Sequence, residues 1–289
     1  MKKYFILVLF VFALSSCSQE AATAQNTPAQ TVTGIATTPV PTATATLAPT
    51  PTATQVPLVS GGVSPLQGVE ISELRLVTSN PFKFKYPYVE ASGSDYNHTG
   101  IDLAFFKFKD FTTVLGHPIE AVLPGKVVEA LTDRWPYGNM ILIETPLNRL
   151  SPEYLAALAL PAPYSETEIS AHSSCLPDPT RIAWSQTETS LYIVYAHMES
   201  PSSFKAGDEV NAGDVIGAVG HSGNAIVGAE HLHLEVRLGP SDAQFGTISD
   251  YKPDSTEEER YNYCIWALSE VFQPIDPTTL WSTQGAAGQ

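Results

Sequence analysis

No apolar run in the sequence approaches the roughly twenty residues that a membrane-spanning helix needs; the longest, Tyr4 to Leu14, is about a dozen. Positive charge is scarce, with 15 Lys and Arg against 30 Asp and Glu and a net charge of −15. Phosphate neutralisation needs clustered Lys and Arg, so nucleic acid is excluded as a partner. Cysteine is nearly absent: three residues, none in the CxxC spacing of a thiolate metal site. From Ser18 to about Pro65 aromatic residues are missing, the large aliphatics are only Ile35, Leu47 and Leu58, and Glu20 is the only charge. Nothing there can offset the entropy of ordering, and repeated Pro favours extended, solvated backbone. Residues 17–65 therefore read as a disordered tether rich in Thr, Pro and Ala, leaving about 66–282 for one packed domain.

Lys2-Lys3, the apolar run and Ser15-Ser16 ahead of Cys17, with no acidic residue among them, read as a secretion signal over residues 1–16. Leu14-Ser15-Ser16-Cys17 resembles the lipobox of bacterial lipoproteins. That resemblance implies Cys17 as a lipidated mature N-terminus, holding the protein on a bacterial membrane that faces the cell wall. An ordinary signal with an incidental Cys is the plain alternative. Cys175 and Cys264 remain as an even pair in an oxidising compartment, where a disulfide is the default and two free thiols the alternative.

Short β-favouring runs punctuated by Gly, Pro and Asn dominate the domain: Glu70–Val77, Thr99–Phe108, Ile119–Val122, Lys126–Ala130, Met140–Glu144, Ser190–Ala196, Val215–Val219 and His233–Leu238. They predict an antiparallel all-β core. Two stretches break the rhythm. Pro152–Ala162 follows a Ser-Pro start, and Ser255–Phe272 carries apolar residues at helical spacing. Both read as partly helical insertions, and a Cys175–Cys264 bond would staple them together.

Four places hold His or Asp in usable spacings: His98-Thr-Gly-Ile-Asp102, Ala196-His197, His231-Leu-His233, and the continuation through Glu235 and Arg237. Side chains at i, i+2 and i+4 of a strand share a face, so His98 points with Asp102 and His231 with His233. The reverse faces, Ile101 and Leu103, then Leu232, Leu234, Val236 and Leu238, are apolar and belong to the core. Gly100 lies between His98 and Asp102 and, lacking a Cβ, is expected to leave room for something held by both. Two imidazoles and one carboxylate make a three-ligand zinc set with the fourth position open; at about +1 net charge it would acidify water toward pKa ~7.

These three segments, in this order, resemble the signatures of the lysostaphin-like (LytM-type) zinc metalloendopeptidases. Residues 116–128 and 212–224 are similar to that family's connecting strands and turns, and 273–277 to its closing segment. The resemblance covers roughly residues 95–144, 190–239 and 273–277. It implies a barrel-sandwich hybrid core (a duplicated hybrid motif), with His98, Asp102 and His233 as Zn²⁺ ligands and His197 and His231 as catalytic histidines. The implied substrate is a peptide bond of peptidoglycan, in a stem peptide or a cross-bridge. No HExxH is present, so a zincin-type Glu base is not available. His117, His172 and His221 read as non-ligands, and Tyr96 as a candidate substrate contact. For Glu235 an exposed strand position is the plain expectation, and an acceptor behind a ligand the sharper one.

Insertions at about 145–189 and 240–272 replace short turns, Glu230 stands where the family often has Pro, and Phe105–Thr113 is longer than usual. They bear on specificity rather than on the metal. The competing function is a catalytically silent family member that binds peptidoglycan or activates another wall hydrolase; such relatives typically lack site residues, and none is missing here. A glucose-permease-type phosphocarrier shares the fold resemblance, but export and the HxGxD segment argue against it.

Overall fold

The computed structural model describes residues 57–281 apart from 87–96, 159, 163, 166, 170–174, 179 and 251. The expected signal, Cys17 and most of the tether lie outside these residues, as do Tyr96 and His172. Among the described residues ten strands follow in chain order: β1 Thr78–Asn80, β2 Gly100–Leu103, β3 Pro118–Glu120, β4 Gly125–Arg134, β5 Gly138–Pro146, β6 Thr189–Ala196, β7 Glu209–Val210, β8 Val215–Ala218, β9 Leu232–Pro240 and β10 Gln273–Ile275. Eight form one antiparallel sheet in the order β1-β2-β9-β6-β5-β4-β7, with β10 also on β9, while β3 and β8 form a second, two-stranded sheet. Among the described residues the large sheet runs open from β1 to β7 and closes no barrel. No described helix is long and apolar enough to cross a membrane.

The central strands β5, β6 and β9 are buried along nearly their whole length, which requires cover on both faces. Period-two alternation sorts their side chains. Ile141, Ile193, Tyr195, Leu234 and Val236 enter one core with the β3–β8 sheet and the C-terminal turn. Met140, Leu142, Tyr192 and Val194 enter another with Ile265, Trp266 and Phe272. The second core is built by the insertion after β9. Its helix, Glu257–Tyr263, starts at a Thr256–Glu259 capping box and runs into a π-helical turn, Cys264–Leu268. Cys264 is disulfide-bonded to Cys175 of the first insertion, with Cα atoms 6.0 Å apart. That first insertion opens with the helix Pro152–Ala157, capped by Ser151 through a 3.2 Å bond from the Tyr154 N–H.

Two expectations change. Residues 70–77, expected as a strand, form a 3-10 turn, Ile71–Glu73, and a short helix, Leu74–Val77; Glu73 accepts from the Glu70 N–H in a capping box, and only the next three residues pair as β1. The β-branched content suggested a strand, but the local cap won. The packed domain also begins before residue 66: Val59 bridges Leu150, and Val63 hydrogen-bonds Val122 and Trp281. Composition gave no warning, because these contacts use backbone groups.

Candidate metal centre

The register of four strands assembles the site. Asn80 of β1 lies opposite Asp102 of β2, which lies opposite His233 of β9, which lies opposite Ala196 of β6. His98 enters just before β2, and His197 follows Ala196 directly. Three atoms then form a nearly equilateral triangle: His98 Nε2 to His233 Nδ1 is 3.0 Å, His98 Nε2 to Asp102 Oδ1 3.1 Å, and His233 Nδ1 to Asp102 Oδ1 3.0 Å. All three residues are buried.

The remaining atom of each is held from behind. His98 Nδ1 lies 3.2 Å from the Pro81 carbonyl, which can only accept, so this nitrogen carries the hydrogen and Nε2 presents its lone pair. His233 Nε2 lies 3.2 Å from Glu235 Oε2, an acceptor again, so Nδ1 presents a lone pair. Asp102 Oδ2 accepts a 2.7 Å bond from Asn80 Nδ2, leaving Oδ1 for the triangle. Three electron-pair donors converge with no hydrogen of their own between them, an arrangement that calls for a cation. A tetrahedral zinc with bonds of about 2.0–2.1 Å holds its ligand atoms roughly 3.4 Å apart, within a few tenths of what the triangle shows. Two imidazoles and a carboxylate suit zinc, and these residues fit it.

Electrostatics agree. Burial opposes ionisation of Asp102, but the His233 and His98 imidazoles beside it outweigh that and hold the carboxyl well below its usual range. Burial likewise opposes charge on His233, yet the Asp102 and Glu235 carboxylates raise it to about 9. The pocket favours positive charge at this point.

His197 and His231 flank the triangle, their ring centroids 4.8 Å apart. His231 Nδ1 lies 2.8 Å from the Ala229 carbonyl, and its Nε2 is 3.7 Å from Asp102 Oδ1. His197 Nδ1 is 2.8 Å from the Ser222 carbonyl, and its backbone adopts φ 62°, the left-handed region. That uncommon conformation turns the chain at the end of β6 and is held by a 2.9 Å bond from the His197 N–H to the Tyr137 carbonyl. Burial, and then the neighbouring His233 and His231, push the His197 pKa down to about 3, so it is neutral at ordinary pH.

All five expected residues are thus brought together. His117 instead bonds the Gln67 carbonyl at 2.8 Å between Phe105 and Phe111, and His221 lies in a turn with 41% of its side chain exposed; neither joins the triangle. Gly100 does not leave room for an ion. A Cβ there would lie 2.4 Å from the Leu234 carbonyl oxygen and 3.0 Å from the His233 ring, so the glycine admits β9 and its ligand. Glu235 is fully buried, not exposed, because the second insertion covers its face. Sequence reasoning missed Asn80, Ser222 and Tyr137; Asn80-Pro81 carries no recognisable signal, and Ser222 acts through its backbone.

An antiparallel β domain with a buried His-Asp-His triangle and two attendant histidines defines a mononuclear zinc-centre protein. Residues 181–244 match the family model described as Peptidase family M23. The match takes in His197, His231 and His233; strand pairing adds His98 and Asp102. Similar solved structures include a zinc-containing peptidase from Vibrio cholerae, 21% identical, over 55% of this chain and 32% of that one with a TM-score of 0.32. A putative peptidase M23 from Pseudomonas aeruginosa is 16% identical over 63% and 48%, TM-score 0.29, and the catalytic domain of lysostaphin from Staphylococcus simulans 20% over 58% and 86%, TM-score 0.31. The chain spans about a third of the Vibrio protein's length and about half of the Pseudomonas protein's. No curated protein matches the chain in sequence.

Proposed function

We propose that this protein is a zinc metalloendopeptidase that hydrolyses peptide bonds in peptidoglycan stem peptides or cross-bridges, with His98, Asp102 and His233 as ligands and His197 and His231 as catalytic residues. The observation that carries it is the triangle of lone pairs with two unliganded imidazoles beside it. When bound, zinc supplies Lewis-acid polarisation of a carbonyl and acidifies water.

The chain's own groups do the rest. His197 and His231 each place Nδ1 on a backbone carbonyl, so in the neutral ring Nε2 is the free base. His197, with Nδ1 held on the Ser222 carbonyl, accepts a proton from the attacking water at Nε2. His231, at the more exposed edge of the site, donates from Nε2 in its protonated form to the oxygen on which charge develops as the amide carbonyl becomes tetrahedral, and the His197 imidazolium returns its proton to the leaving amine. The backbone carbonyls behind both rings keep them from turning away.

The same proposal has the mature chain begin at Cys17, lipid-anchored to a bacterial membrane and carrying its domain toward the wall on the Thr/Pro/Ala tether; the signal and lipobox residues support it. His98→Ala and Asp102→Ala should lose bound zinc and activity together, whereas His231→Ala should keep zinc and lose turnover. Mass spectrometry of fragments released from purified wall reads the bond cleaved. Zinc retained by either ligand variant, or no new amine termini from digested wall, would overturn the assignment.

A further inference from the structure

The second insertion does more than extend the core, because its one indole N–H enters the hydrogen-bond chain that ends on a metal ligand. Glu235 Oε2 accepts three bonds: from His233 Nε2 at 3.2 Å, Thr99 Oγ1 at 2.9 Å and Tyr137 OH at 3.2 Å. Its other oxygen is taken by Arg237, whose guanidinium also donates to the Phe272 carbonyl at 2.8 Å and lies over the Trp266 ring. Trp266 Nε1 lies 3.0 Å from Tyr137 OH. An indole nitrogen can only donate, so the tyrosine oxygen accepts from it, and the tyrosine hydrogen is directed at Glu235. The orientation of that hydrogen is therefore fixed by a residue of the insertion. Tyr137 acts twice, since its carbonyl also receives the His197 N–H at 2.9 Å.

We propose that Tyr137 and Trp266 are positioning residues for the metal centre, through which the second insertion fixes Glu235 and hence the orientation and donor strength of His233. This inference rests on the reading of His98, Asp102 and His233 as zinc ligands. A carboxylate that receives the far N–H of a ligating imidazole fixes its tautomer and raises its basicity, and losing such a partner typically weakens metal binding about 10- to 100-fold. Here the carboxylate is itself restrained from three sides in a dry setting, with Glu235 and Trp266 wholly buried, where every partner lost is felt. Trp266 lies two residues past Cys264, so the disulfide to the first insertion fastens the segment that carries the indole.

The test is zinc affinity, measured by chelator competition on the whole mature domain, together with the visible spectrum of the cobalt(II)-substituted protein. Tyr137→Phe should weaken zinc about tenfold and shift the cobalt bands; Trp266→Phe should do the same to a lesser degree. Phe245→Leu packs against Trp266 and Phe272 but makes no polar link, so it should lower thermal stability and leave zinc affinity and spectrum unchanged. Glu235→Gln combined with Tyr137→Phe should cost less than the two separately, because both act on one bond. If the parent protein binds zinc and Tyr137→Phe and Trp266→Phe bind it equally well, or if Phe245→Leu weakens it as much as they do, the positioning role is wrong while the zinc reading stands. If the parent protein binds no zinc, both fall.

Discussion

Gly100→Ala is the smallest change that separates the proposed architecture from a looser one. The added methyl would lie 2.4 Å from the Leu234 carbonyl oxygen and 3.0 Å from the Cε1 of His233. Ordinary contact needs about 3.4 Å or more, so β2 and β9 must part by roughly 1 Å. No side-chain rotation relieves the first clash, since the atom met is backbone. Overpacking of this kind costs about 1–3 kcal/mol, and a backbone obstruction belongs at the upper end. The second contact falls on the metal centre. Asp102 and His233 face one another on these two strands with donor atoms 3.0 Å apart, so separating the strands widens the triangle on that side. The loss of zinc affinity should be at least about tenfold, comparable to the loss of a supporting partner.

A control distinguishes the clash from the ordinary cost of replacing glycine. Gly213 has φ +86° and nothing within 4 Å of a built Cβ, so Gly213→Ala meets backbone strain alone, about 1–2 kcal/mol, and should leave the metal untouched. Urea unfolding of the metal-free variants, and chelator competition on the loaded ones, read the two effects separately. Gly100→Ala with parental stability and zinc affinity would show that β2 and β9 do not approach in this register, and the triangle would lose its foundation.

Metal-free protein should be most stable near pH 6.5. His197, pushed down to about 3 by burial, gains a proton on unfolding throughout the window from about 3 to 6.5, so stability falls as the pH drops through it. His233, buried yet raised to about 9 by Asp102 and Glu235, stabilises fully below 6.5 and loses that contribution as the pH climbs through 9. Saturating zinc takes the place of the His233 proton and should flatten the alkaline limb in urea titrations; an unchanged limb would mean the metal binds elsewhere. Replacing Cys175 and Cys264 together by Ser opens a link across 89 residues, which chain entropy values at up to about 4.5 kcal/mol. The melting temperature should fall accordingly while zinc stoichiometry stays at one per chain; no fall would mean that the bond does not restrain the unfolded chain.

Strand periodicity put His98 with Asp102 and His231 with His233 on shared faces, and the resemblance to the lysostaphin-like family added His197 and the division into ligands and catalytic histidines. The same periodicity rule misjudged Glu235. Alternation separates apolar from polar faces, and a charged face reads as solvent-facing unless something covers it. Here the cover comes from residues 240–272, remote in sequence from β5 and β6, and the burial is tolerated because Glu235 and Arg237 pair with one another and with Tyr137, Thr99 and a backbone carbonyl. A local pattern carries no word of such a partner. Asn80 and Ser222 escaped for a related reason: one bonds an oxygen of Asp102 and the other holds His197 through a carbonyl that any residue would supply. Spacing along a strand gives the shared faces and the family resemblance the ligands, but the groups that aim them follow from strand order. Register is the physical quantity on which the functional reading turns, and Asp102 facing His233 across β2 and β9 is its decisive instance.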